Sequence, residues 1–174
     1  MNLTEMMYQR RSVRSYTGEK IPEELLNKVL AAGLLAESGR NIRPWEFIVV
    51  NDKELLKQMA DCRIGSVSML KSCDCAIAVV GDETKTDVWT EDCSIAMAHM
   101  HLMADSLGLG SCWIQGRLRE AANGQTTEHY LRTLLHFPEK YRLEAILSLG
   151  MPEQKPDAHS EKDLDFSKVH YNRF

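Results

Sequence analysis

The sequence predicts one domain of the α/β or α+β class, a sheet with helices packed on it. Three observations carry this. Four short apolar runs alternate with segments of helical periodicity. The 174 residues suit a single domain and can bury a good core without disulfides. No internal repeat and no low-complexity linker divides the chain.

Taken in order, residues 4–11 read as a short helix with Thr4 as N-cap and Glu5 in its first turn, which delivers Arg10 and Arg11 at its C-terminal end. IPEELLNKVLAAGLLAESGR is a core helix: its proline comes early, Leu25, Leu26, Val29, Leu30 and Leu34 form a stripe, and Gly39 closes it. NIRPWEF leads into FIVV, residues 47–50, a buried strand, after which Asn51 or Asp52 caps the amphipathic helix DKELLKQMAD. CAIAVVGD, residues 75–82, is a second internal strand. The longest helix is EDCSIAMAHMHLMADSLG, residues 91–108. Ile95, Ala96, His99, Leu102, Met103 and Leu107 fall near one of its faces, and small residues all round predict burial on more than one side. LGSCWIQG is a third strand, TEHYLRTLLHF another helix and EAILSLG a fourth strand. The polar tail from Met151 to Phe174 ends in VHYNRF, whose apolar residues favour wrapping over a partner subunit rather than disorder.

Composition excludes several classes. A formal net charge of -4, with Lys and Arg scattered outside residues 10–14, argues against nucleic-acid binding. The start MNLTEMMYQRR has no apolar signal core, and no window reaches the ~18 apolar residues of a membrane span, so a cytoplasmic protein is expected. Five cysteines without a C-x-x-C pair suggest neither a disulfide framework nor a zinc site, and Cys73 and Cys75 read as buried thiols entering a strand. His99 and His101 stand two apart on a helix and so do not share a face; no metal is expected.

The stretch RRSVR, residues 10–14, is the one cluster of cations. Arginine donates two parallel hydrogen bonds to a phosphate and a serine hydroxyl adds a third, so the cluster suits a phosphate monoester. A solvated helix end, where cations are favoured by the helix dipole, explains the same residues.

RRSVRSY, SGRNIRPWEFIVV, DCSIAMAHMHLMADSLGLGSCWIQG and the ending LSLGMP followed by VHYNRF together resemble the FMN-dependent nitroreductase family, in order and over nearly the whole chain. The resemblance implies an α+β fold with a central, mostly antiparallel sheet flanked by helices. Residues 1–174 then form a single FMN-binding domain of a domain-swapped homodimer, with 151–174 wrapping the partner. FMN would lie at the dimer interface and NAD(P)H would be a transient electron donor. The implied acceptor is an electron-poor small molecule such as a nitroaromatic or quinone, reached by ping-pong exchange; the same resemblance also admits another role, as a reductive dehalogenase, a flavin-consuming enzyme or a non-catalytic flavin-binding redox module.

The same resemblance assigns residues. Arg10 meets the flavin phosphate, Arg11 and Ser12 the nearby phosphate and pyrimidine edge, and Arg14 the N1–C2=O side of the ring. Ser38, Arg40 and Asn41 reach the partner's flavin. Trp113, Ile114, Gln115 and Gly116 lie along it, with the Gln115 amide toward N5 and the Gly116 amide toward O4; the glycine is expected to permit close approach. Gly65 and Ser68 stand where relatives contact the pyrimidine with asparagine and lysine. Lys155, Lys162 and Arg173 compete to complete the phosphate site. No catalytic side chain is implied, because the cofactor carries the electrons.

Overall fold

The computed structural model of the chain describes residues 2–65 and 67–174. Four strands, β1 (Trp45–Val50), β2 (Cys75–Asp82), β3 (Gly110–Gln115) and β4 (Tyr141–Gly150), form one sheet in the order β1-β2-β4-β3. Every neighbouring pair is antiparallel, which leaves β1 and β3 as edges.

Side chains alternate across a strand, so this sheet supplies two cores. Against one face pack α3 (Lys53–Met59) and α5 (Thr127–Leu135), whose Leu56, Met59 and Leu131 meet Ala76, Ala78, Ile114 and Ile146. Against the other pack α2 (Glu23–Leu34) and α4 (Trp89–Ser106), whose Val29, Ala96, Met97 and Met100 meet Ile77, Val79, Ala145 and Leu147. Sandwiched between these layers, β2 is buried at all of its residues, which accounts for its unbroken apolar run. The fold is α+β with an antiparallel sheet, as the resemblance implies.

Several element ends differ from the sequence expectation. Helix α1 spans Leu3–Gln9 and its N-cap is Asn2, not Thr4. Asn2 accepts from the Glu5 amide at 3.0 Å while the Glu5 carboxylate accepts from the Asn2 amide at 3.0 Å, a reciprocal box that fixes the cap two positions ahead of Thr4. Arg10 is consequently the C-cap, and Arg11 lies beyond the helix. Helix α2 stops at Leu34, and Gly39 does not close it. That glycine opens a separate 3-10 turn and donates its amide to Asp92 Oδ1 at 2.8 Å. In α4 the fully buried apolar positions are Cys93, Ala96, Met97, Met100 and Ala104, whereas Ile95, His99, Leu102, Met103 and Leu107 are half-buried. The seam follows small and flexible side chains that let α2 and the sheet approach together.

Strand β4 begins at Tyr141, ahead of the expected Glu144, and carries a bulge: Val79 faces Ala145 and Val80 faces Leu143, so Glu144 is the extra residue. Residues 153–174 are exposed throughout, among them Leu164, Phe166, Val169, Tyr171 and Phe174. Among the described residues no helix is long and apolar enough to cross a membrane.

Candidate functional site

The segment Arg10–Arg14 lies along the start of β3. The Val13 amide donates to the Ser111 carbonyl at 2.9 Å, and Gly110 leaves room for the Val13 side chain, which would otherwise stand 2.8 Å from a Cβ there. Val13 is buried, while Arg10, Arg11 and Ser12 are half-buried and Arg14 is exposed. One apolar plug thus anchors a stretch whose polar side chains remain accessible.

Arg10 Nη1 lies 2.9 Å from His101 Nε2, and His101 Nδ1 lies 2.5 Å from Ser111 Oγ. Burial, and after it the charge of Arg10, pushes the His101 pKa down to about 4. One helical turn further along α4, Asp105 holds Lys155 Nζ at 2.6 Å. The two ends of the chain therefore each bring a cation to the same stretch of α4. Of the three basic residues that follow β4 and compete for this place, Lys155 is in the cluster, whereas Lys162 and Arg173 form no ion pair among the described residues. Arg11 donates to the Asp157 carbonyl. Ser12 and Arg14 lie beside Cys112, whose thiol pKa burial pushes up and these neighbours pull back.

The far end of β3 is ~13 Å away by strand rise. There the Gln115 carbonyl accepts from Arg63 Nη1 at 3.3 Å, on the side away from β4. In an antiparallel ladder a residue's N–H and C=O point the same way, so the Gln115 amide also faces the free edge. Arg63 Nε is buried and unpartnered. Trp113 Nε1 donates to Gln115 Oε1 at 2.9 Å and Gln115 Nε2 to the Arg117 carbonyl at 3.2 Å, which fixes these side chains along the strand. Trp113 packs partly into the α2–α4 core and Ile114 into the opposite one.

Gly116 departs from expectation. Its amide donates to the Glu144 carbonyl at 3.3 Å, and a Cβ there would stand 2.5 Å from Leu143 Cδ2. In this chain the glycine answers to packing against β4, and its N–H is turned back into the fold.

Ser38, Arg40 and Asn41 are placed elsewhere, at the N-terminal end of α4. Ser38 Oγ accepts from the Arg43 amide at 2.9 Å, Asn41 Oδ1 accepts from Arg43 Nε at 2.9 Å, and Arg40 faces Asp87 at 3.8 Å. Arg40, Asn41 and Arg43 all adopt left-handed backbone, with φ of 53, 56 and 52°. Asp92, which holds the loop, and His101, which holds Arg10, are separated by ~13 Å of helix. No hydrogen bond or ion pair joins the loop to residues 10–14 among the described residues. Gly65 and Ser68 are exposed. From the same connection between α3 and β2 it is Arg63 that reaches β3, a cation that sequence reasoning missed. His101 was missed as well; its signal was the pair with Asp105 at i and i+4.

This donor set fits an elongated ligand that is anionic at one end and rich in acceptors at the other. Arg10 and Lys155 stand at the first end, the Gln115 amide and the unpaired Arg63 Nε at the second. FMN, the cofactor the resemblance implies, has that form.

Known proteins agree with this architecture. An FMN-dependent nitroreductase from Clostridium difficile R20291 superimposes with a TM-score of 0.96 at 43% identity, covering 99% of this chain and 100% of that one. A protein of Archaeoglobus fulgidus, provisionally named an NADH dehydrogenase/NAD(P)H nitroreductase, is 37% identical over 162 residues, 91% of this chain and 90% of its own. A similarly named structure from Bacteroides thetaiotaomicron has a TM-score of 0.89 at 32% identity over 98% of this chain and 97% of its own. The nitroreductase family model matches residues 7–68 and 65–151, and the chain belongs to the nitroreductase family.

Proposed function

We propose that this family member is an FMN-dependent oxidoreductase that takes hydride from NAD(P)H and delivers it to an electron-poor acceptor such as a nitroaromatic or a quinone. The observation that carries the reading is the two-ended edge of β3, with cations gathered beside Ser111 and unpaired donors beside Gln115. The names of the relatives point the same way.

When bound, FMN supplies the ring through which hydride passes. The chain's own residues bind and orient. Arg10 and Lys155 hold the phosphate, with Arg11 and Ser12 beside them. Arg14 lies at the N1–C2=O side, where a fixed positive charge favours the reduced ring. The Gln115 amide donates toward N5 from a strand whose Trp113 and Ile114 are locked by packing, and Gly116 closes that end through its contact with Leu143. Ser38, Arg40 and Asn41 act on the flavin of a second copy in a domain-swapped homodimer, and the exposed apolar residues of 151–174 lie over that copy. Residues 1–174 work as one domain. Solvent provides the protons, so no side chain is assigned as catalytic. Donor and acceptor occupy one open cleft in turn. Five free, buried thiols suit a reducing cytoplasm.

The test is the flavin absorbance of the purified protein under anaerobic conditions. Bleaching by NADH or NADPH, followed by recovery on adding a nitroaromatic, is the expected result, with parallel double-reciprocal lines in steady state. Bands that persist with both donors overturn the donor assignment. A protein that cannot be reconstituted with FMN overturns the whole reading.

A further inference from the structure

Arg10 reaches the corner between α4 and β3 with a partner already waiting. A guanidinium only donates, so His101 Nε2 accepts from Arg10 Nη1 at 2.9 Å. The ring proton must then sit on Nδ1, where Ser111 Oγ accepts it at 2.5 Å. One contact on each side fixes both the tautomer and the plane of a ring that is 8% exposed.

The charges around this ring are few. Arg10 faces it from the end of α1, Asp105 lies one turn away on α4, and Lys155 comes in from the segment after β4; β3 contributes only the neutral Ser111. Burial and the neighbouring guanidinium keep the imidazole uncharged well below neutral pH. The histidine therefore holds Arg10 without cancelling its charge. The next turn of α4 shows the alternative. Asp105 holds Lys155 at 2.6 Å as an ion pair, so that cation arrives largely neutralised.

We propose that His101 is the positioning residue of the flavin-phosphate subsite: its neutral ring fixes Arg10 through one donor and leaves the remaining guanidinium N–H groups, and the full positive charge, for the phosphate. This rests on the FMN reading above. A carboxylate at position 101 would grip the guanidinium as firmly but spend its charge internally. An aliphatic residue would leave both Arg10 and Ser111 without their buried partner.

Riboflavin has the same ring as FMN and no phosphate, so the two ligands separate a phosphate effect from a fault in the fold. Binding of each to the full-length protein is measured by flavin fluorescence for wild type, His101→Leu and His101→Gln. In His101→Leu the affinity for FMN falls roughly tenfold to a hundredfold, the loss of one well-placed charged hydrogen bond, while that for riboflavin stays within about twofold. Gln, a neutral acceptor, restores most of the FMN affinity. Equal losses for both ligands mark a purely structural histidine and overturn the proposal, as does an unchanged FMN affinity in the Leu variant. Should that variant not fold, His101→Glu carries the same comparison: it can hold Arg10 but cancels its charge, so FMN binding must weaken and riboflavin binding must not. A wild-type protein that binds riboflavin as tightly as FMN sinks the phosphate assignment of Arg10 itself, a different outcome from a failure confined to the position 101 variants.

Discussion

The two ends of α4 differ in how far one chain completes them. Beside its C-terminal half, His101 joins Arg10 at 2.9 Å to Ser111 at 2.5 Å, Asp105 separately holds Lys155 at 2.6 Å, and Val13 locks the backbone in register. At its N-terminal end the loop of residues 38–43 is largely exposed, has Arg40 only 3.8 Å from its nearest carboxylate and contains three left-handed residues with side chains. Such backbone costs on the order of 1 kcal/mol or more per residue and persists where the surroundings over-determine it. One half of the candidate site is thus finished inside the chain. The other is held by the Gly39 amide on Asp92 and by the Ser38–Arg43 and Asn41–Arg43 hydrogen bonds, and it carries its left-handed residues at the surface; in the homodimer proposed above it is the part that a second copy would complete.

The largest expected effect strikes the finished half through pH. The His101 pKa is about 4 in the fold against an ordinary 6.5, so as pH falls the unfolded chain takes up the proton before the folded one does. Stability is unaffected above about pH 6.5, declines as pH drops from there, and has lost about 3 kcal/mol by pH 4. Urea melts of wild type and His101→Gln isolate this term, because the variant has nothing to titrate there. The variant should gain about 3 kcal/mol relative to wild type on going from pH 7 to pH 4; a gap that does not change with pH contradicts the buried, neutral histidine.

Next comes Arg10→Ala, which removes a cation already aimed at the corner. FMN affinity should fall roughly a hundredfold, the worth of two charge-assisted hydrogen bonds in a half-buried place. Arg40→Ala, on the exposed loop, should cost less than about tenfold by the same titration. Equal losses at the two positions erase the distinction between a finished and an unfinished half.

Why the finished half was only partly legible follows from the kinds of interaction that build it. Apolar periodicity is local, so the four strands and the helices around Val29, Leu56 and Leu131 could be read from neighbouring residues alone. Asp52 was one of two candidate caps and is the one whose side chain accepts from the Leu55 amide, at 2.8 Å. Capping at the chain start turned on a pair three apart, Asn2 with Glu5, and reading Glu5 as a first-turn charge overlooked its reach back to the Asn2 amide. The Arg10–His101 contact spans 91 positions and the Lys155–Asp105 pair joins the tail to α4, so neither leaves a local signature. The i, i+2 argument rightly separated His99 from His101: the first faces Glu37 at 3.5 Å near the surface, the second turns inward. That spacing says nothing of the distant partner that His101 finds in Arg10. At Gly116, expected to approach the flavin, the close contact that the fold itself shows is with Leu143, a neighbour on β4 that no local pattern announces.

Gly116→Ala places a methyl group against Leu143 and should lower stability by about 1–3 kcal/mol even in protein free of flavin, as overpacking does. A variant with unchanged melting that loses only flavin affinity returns the glycine to the role first expected of it.

The smallest effect addresses the unfinished half. Arg43 has φ of 52°, and Arg43→Gly removes the left-handed cost while giving up an exposed hydrogen bond to Asn41. Glycine also loses more entropy on folding, so the net gain should be only about 0.5 kcal/mol. Its dependence on concentration carries the information. Where the chain is dilute enough to be single, the gain should appear in full. Where a second copy grips the loop, the conformation is enforced from outside and the replaced side chain takes its contacts with it, so the gain should shrink or reverse. Equal gains at both concentrations mean that the left-handed run is a local habit of the loop, and the contrast between the two ends of α4 then says nothing about a partner.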